Sequence, residues 1–313
     1  MIRRPLHPWR VPVALASIVL GACATAPSTR ELAEEYVNLG NVYFETGDLE
    51  RSFELFERAL ELDPSVSAAS YNAARVQIER GQITAAIDLL AQLLRDDPDN
   101  VIYRETLAYA LYSRGDVPDA LREYRRVLTI APGLVRAVYN MALIQLEFEQ
   151  AWSAYHTLNS AADLAREDAE YQLLLADAAW AVRQENAAVQ ALQDAIAADA
   201  DDLQLRIDAA ARFLDWEFPL LTIEALLARE TLVADDAVGA FLLARAYLES
   251  GGDFDAGRRW LNNAVSAGFD DSAALAELLD RLVEDERRVL SEDLPQELRP
   301  AADPEVDTDT DAS

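Results

Sequence analysis

No lysine occurs anywhere in the chain, and cysteine and histidine are nearly as scarce, with one cysteine, Cys23, and two histidines, His7 and His156. A single thiol cannot make a disulfide framework, and this inventory cannot supply a Cys/His zinc site. Positive charge is short as well. Against 56 Asp and Glu stand 27 basic residues, every one arginine, for a formal charge of −29. Phosphate backbones repel such a surface, so no nucleic acid is expected as a partner. The sequence also lacks a phosphate-cradling glycine loop and a metalloprotease helix motif. No cofactor, no metal and no enzymatic activity are expected. What is present is apolar mass: hydrophobic residues make up 51% of 313 positions, enough for a sizeable core. The acidity suits either a basic partner or a saline habitat.

The first residues read as an address. Arg3, Arg4 and Arg10 precede the short apolar run Val11 to Leu20. That run is shorter than the roughly 20 residues a bilayer span needs, and has the length of a signal-peptide core. It ends Leu20-Gly21-Ala22-Cys23, which resembles a bacterial lipobox, a Leu and two small residues before the cysteine that is lipidated. The resemblance implies cleavage after residue 22, acyl chains on Cys23 and a stable membrane anchor. Ala24, where an inner-membrane retention signal carries Asp, points to the outer membrane facing the periplasm. Losing three arginines and no acid, the mature chain would carry −32. The alternative is ordinary signal cleavage at Ala22-Cys23-Ala24, which would leave a soluble periplasmic protein.

The body repeats. Gly40, Ala74, Ala108, Ala142, Ala176, Ala210 and Ala244 are spaced by 34 residues and all small. So are Ser52, Ala86, Ala120, Ala154, Ala188, Thr222 and Ala256. A third column in the same register, Phe56, Leu90, Tyr124, Leu158, Leu192, Leu226 and Trp260, is large and apolar. Together with Tyr36, Leu39, Tyr43, Gly47, Ala59 and Pro64 of the first unit, these columns resemble the tetratricopeptide repeat. The resemblance covers residues 33–270, with units starting at 33, 67, 101, 135, 169, 203 and 237. It implies an all-α, right-handed α-solenoid of about seven helical hairpins. Small residues permit close helix crossings and large ones fill the space between hairpins. Gly47, Gly81, Gly115 and Gly251 end first helices in left-handed turns, whereas units four to six carry Glu149, Arg183 and Glu217 there. The boundary near 148–153 is open, and Pro219 is expected to start a second helix. Leucines from Leu275 to Leu290 predict a capping helix over 271–291. Residues 23–32 read as a lipidated tether and 292–313 as a disordered acidic tail.

In the family, first helices line a concave groove that holds peptides. The matching positions here include Asn41, Phe44, Tyr71, Asn72, Arg75, Tyr109, Tyr112, Tyr139, Asn140, Trp180, Phe241 and Arg245. Rings and amides suit a peptide backbone laid in a groove, although aromatics at helical spacing also serve as packing. A carboxylate clamp known in the family is rejected, because Val37, Ile102 and Thr106 stand where its cations would be. His156 has no catalytic companion, acidic runs such as Glu284-Asp285-Glu286 read as solvated faces, and the Asp307–Asp311 tail lacks an EF-hand's glycine and final Glu. The expected function is a non-enzymatic, lipid-anchored scaffold holding envelope proteins or peptide segments for a pilus, secretion or outer-membrane machine. The alternative is a periplasmic receptor that binds a peptide or small ligand for a transporter.

Overall fold

The computed structural model describes residues 28–299. The segment expected to be a signal, with Cys23 and the tether up to residue 27, and residues 300–313 lie outside that range. All regular elements among the described residues are helical, and two compact units divide between Pro98 and Asp99.

The first unit holds two hairpins, α1 (Thr29–Glu45) with α2 (Leu49–Leu62), and α3 (Ser67–Glu79) with α4 (Ile83–Asp96). Helix α1 starts at a reciprocal cap. Ser28 Oγ accepts from the Glu31 N–H at 3.2 Å, while the Glu31 carboxylate accepts from the Ser28 N–H at 2.7 Å. Two of the four orphan donors of a helix start are thereby satisfied. Val37, Phe56, Ala59, Val66 and Val76 form the buried core of this unit.

The second unit begins with α5 (Val101–Arg114), α6 (Val117–Ile130), α7 (Val135–Glu147) and α8 (Ala151–Asn159). It continues with α9 (Ala169–Ala181), α10 (Glu185–Ala198), α11 (Leu203–Asp215), α12 (Pro219–Leu227) and the short α13 (Glu230–Val233). Then come α14 (Ala237–Glu249), α15 (Phe254–Ser266), α16 (Ser272–Asp280) and α17 (Glu284–Asp293). Its largest core cluster carries Tyr171, Phe213, Leu226, Leu243 and Leu261.

The three sequence columns are the contact surfaces of the hairpins. Every member of all three is buried. Where the second column holds a hydroxyl, it is satisfied by the carbonyl of the first-column residue of its own hairpin. Ser52 Oγ donates to the Gly40 oxygen at 2.9 Å, and Thr222 Oγ1 to the Ala210 oxygen at 3.1 Å. A buried hydroxyl without that acceptor would be costly. Gly40 has a further reason to be glycine: a Cβ there would lie 2.5 Å from the Phe56 ring.

Two expectations are corrected. The single capping helix is two helices, α16 and α17, with extended backbone at Val283 (φ −68°, ψ 154°) between them. Of its apolar residues, Leu275, Leu278, Leu279 and Leu290 are nevertheless buried, while Val283 at the break is exposed. The tail expected from residue 292 is ordered at its start, because α17 runs to Asp293, Leu294 is buried, and a 3-10 turn covers Gln296–Leu298. Elsewhere, Pro219 occupies the first position of α12, where its missing N–H costs nothing. Helix α8 begins at Ala151 after Glu149 takes a left-handed conformation.

Candidate functional site

The sequence-derived groove residues separate into a cluster in the first unit and scattered positions in the second. In the first, α1 presents Asn41 and Phe44 three residues apart, on one face. Helix α3 presents Tyr71, Asn72 and Arg75 at the same kind of spacing. Packing of α3 beside α1 brings the two sets together. Asn72 Nδ2 donates to Asn41 Oδ1 at 2.8 Å, and Arg75 Nη1 donates to Asn72 Oδ1 at 3.3 Å. The Arg75 guanidinium lies 4.4 Å from the centre of the Phe44 ring and 5.9 Å from that of Tyr71. Such stacking holds a cation by the negative ring face and fixes its plane.

These groups border a cleft of about 470 Å3 lined by Asn41, Phe44, Glu45, Asn72 and Arg75. The amide chain has a direction. Asn72 is nearly buried and spends its nitrogen on Asn41 and its oxygen on Arg75. Asn41 accepts with its oxygen, which leaves its NH2 group and the other Arg75 N–H groups as the donors among the residues lining the cleft. The cleft therefore offers donors, an aromatic face and one carboxylate. It suits a polypeptide carbonyl or carboxylate flanked by apolar groups. Glu45 went unnoticed in the sequence, although it stands four residues after Asn41 and hence on the same helix face.

In the second unit the expected residues do other work. Tyr109 is about half exposed, 48%. The Tyr112 hydroxyl donates to the Glu147 carboxylate, and that bond raises the phenol's pKa. Burial raises the Tyr124 pKa, against a smaller lowering by the Asn140 side chain, and Tyr139 tilts against Tyr171 with ring centres 6.5 Å apart. Trp180 stacks on Trp216 at 4.6 Å, with Phe218 edge-on. Phe241 is buried and stacked on Phe269 at 4.1 Å, so its expected ligand-binding role is corrected to packing. Arg245 is tied to Glu249 at 2.9 Å. Val37, at one of the clamp's cation positions, is buried in the core, and the two Asn amides bond each other.

His156 is exposed and stacks on the exposed Trp152, with ring centres 5.6 Å apart. Among the described residues no His/Cys/Asp/Glu group has metal-binding geometry, and no helix is long and apolar enough to cross a membrane.

Comparison with known proteins agrees with the hairpin geometry. The tetratricopeptide repeat family pattern matches residues 43–108. BBSome complex member BBS4 of Bos taurus is 24% identical over 200 residues, which is 52% of this chain and 38% of that protein. Its Drosophila melanogaster homolog is 23% identical over 180 residues, 45% of this chain and 36% of that one. The chain thus spans well under half the length of the curated relatives it matches. Among solved structures, Pseudomonas aeruginosa pilF superposes with a TM-score of 0.54 at 20% identity, covering 66% of this chain and 94% of that one. A tetratricopeptide repeat protein of Parabacteroides merdae superposes at 0.52 with 17% identity, covering 79% and 97%. At these identities the likeness concerns the fold. With small residues buried in both crossing columns of every hairpin and the family pattern matched over residues 43–108, the described residues fold as tetratricopeptide repeat hairpins.

Proposed function

We propose that this chain is a non-enzymatic, lipid-anchored scaffold of the bacterial cell envelope, facing the periplasm from the outer membrane. Its α1–α3 cleft holds an extended segment of a partner protein. Repeat folds of this family serve protein–protein interaction as a class, and the finer reading adds the anchor and the surface. The anchor rests on Leu20-Gly21-Ala22-Cys23, where the only thiol of the chain stands at the position lipidation requires. The surface rests on one observation, the Asn41–Asn72–Arg75 chain with Arg75 held over Phe44 at a 470 Å3 cleft. An oriented row of donors beside an aromatic face recognises main-chain carbonyls, while the ring contributes apolar contact. The curated relatives are members of a complex, an assembly role of the same class.

Two variants test the two halves separately. Cys23→Ala should move the protein from the membrane to the soluble fraction of cells; persistence in the membrane would contradict the anchor. A photo-crosslinking phenylalanine analogue at position 44 should capture one partner in intact cells. That capture should be lost when Asn41→Ala and Arg75→Ala are combined in the same chain. Undiminished capture of the same partner by the combined variant would overturn the cleft as the binding surface.

A further inference from the structure

The second unit buries an arginine that has no carboxylate partner. Arg206, on α11, is 8% exposed. Its Nε and Nη2 each donate to the Ala200 carbonyl at 3.0 Å, and Nη1 donates to the Ala225 carbonyl at 3.1 Å. A guanidinium carries five N–H groups, so two remain after these bonds. No Asp or Glu among the described residues lies within ion-pair distance of it, in a chain that carries 56 of them. Arg229 converges on the same point. Its Nη2 donates to the Ala200 carbonyl at 3.0 Å and to Asp201, while its buried Nε has no hydrogen-bond partner. Burial, and then the charge of Arg229, pull the Arg206 pKa down against a smaller opposing pull from the charge of Asp201.

Arg206 also lines a pocket of about 190 Å3. Ile196, Phe213 and Leu221 supply its apolar walls, and Gln193 and Glu224 its other polar groups. That volume is below the roughly 300–1,000 Å3 typical of drug-sized sites. It admits one small group and excludes a folded segment. Carbonyl dipoles at the ends of α10 and α12 hold the guanidinium in place, and the one carboxylate that acts on its charge, Asp201, is itself bonded to Arg229. Glu224 is exposed and solvated, so it compensates that charge weakly.

We propose that this pocket binds a small monocarboxylate with a hydrocarbon body, its carboxylate on Arg206 and its apolar part against Phe213, Leu221 and Ile196. A free acid and the apolar C-terminal residue of a peptide share this chemistry. The pocket belongs to the other compact unit from the α1–α3 cleft, so its failure would leave the scaffold reading untouched.

The test is a titration of the full chain with 4-methylpentanoate, followed by the methyl resonances of Ile196 and Leu221. Saturable shifts are expected, with binding at least about tenfold weaker for the uncharged 4-methylpentanamide, since a charged hydrogen-bonded contact is lost. Arg206→Met should weaken the acid to the level of the amide. Because that change also removes three hydrogen bonds to helix-end carbonyls, two variants that spare Arg206 accompany it. Ala228→Trp should fill the pocket and abolish the shifts, and Glu224→Gln should tighten binding by removing a like charge. N-acetyl-glycyl-leucine separates the sources: tighter binding than 4-methylpentanoate indicates a peptide C-terminus, and weaker binding a free acid. Equal binding of acid and amide, or shifts that survive Ala228→Trp, would overturn the proposal.

Discussion

Glu149, Arg183 and Glu217 have φ of 56°, 62° and 64°, in the left-handed region where Gly81 and Gly115 sit in sister hairpins. The turns are the same turns. Gln82 N–H donates to Gln77 C=O at 2.8 Å, and so do Gln150 to Gln145 at 2.7 Å, Gln184 to Ala179 at 2.9 Å and Phe218 to Phe213 at 2.7 Å. Each closes the six-to-one bond of a Schellman motif. The sequence does not show these turns, because a positive φ announces itself only when glycine occupies it. The packed hairpin imposes the conformation on whatever residue is present. For an L-residue this geometry costs about 1–2 kcal/mol, and glycine's extra chain entropy returns about 0.5–1 kcal/mol of that. Each of Glu149→Gly, Arg183→Gly and Glu217→Gly should therefore stabilise by about 0.5–1 kcal/mol, and Gly81→Ala should destabilise. Urea unfolding checks this, and a loss of stability in the three glycine variants would refute the strain. Phe241 teaches the opposite lesson at the site. Its place in the repeat suggested a groove, but helical spacing alone cannot say that a Phe269 ring waits on its other side.

At the scale of the helix, starts were more legible than ends. Ser28, Asp48, Asn100 and Asp253 all accept from backbone N–H groups at helix starts, and those residue types are readable as caps. The split of the C-terminal cap was not, because the leucine period runs on through Leu282 while the backbone breaks at Val283. A signal was nevertheless present. Glu284, Asp285 and Glu286, read as a solvated face, form the first turn of α17, where negative charge favours a helix start. The far end of α17 is held by Asp293, whose carboxylate accepts from Arg258 Nη2 at 2.8 Å and from its Nε. Those hydrogen bonds keep the Asp293 pKa below its ordinary 3.8. A carboxyl with a lowered folded-state pKa contributes stability that is present above the unfolded value and is lost as pH falls through the folded one. Hydrogen exchange should thus show α17 losing protection as the pH drops below about 4. Asp293→Asn should lose that protection at pH 7 already and show a weaker acid dependence. Unchanged α17 exchange in Asp293→Asn at pH 7 would contradict the tie.

For the molecule as a whole, the repeat was the most legible feature, since one 34-residue period carries three columns through seven hairpins. What the period could not give was which groove positions converge. That depends on pair contacts such as Asn41 with Asn72, which differ from hairpin to hairpin while the crossing columns do not. The central claim is that each hairpin crosses where a small residue on one helix meets a large one on the other, and that Gly40 is glycine because of the Phe56 ring it meets. The first hairpin pairs Gly40 with Phe56, whereas the second pairs Ala74 with Leu90. Converting the first into the pattern of the second is the most direct test, as a double-mutant cycle on Gly40→Ala and Phe56→Leu read by urea unfolding. Gly40→Ala alone should cost about 1–3 kcal/mol, because its Cβ would lie 2.5 Å from the Phe56 ring. In the presence of Phe56→Leu that cost should largely vanish. A Gly40→Ala penalty that is equally large in both backgrounds would contradict the matching of sizes across the crossing.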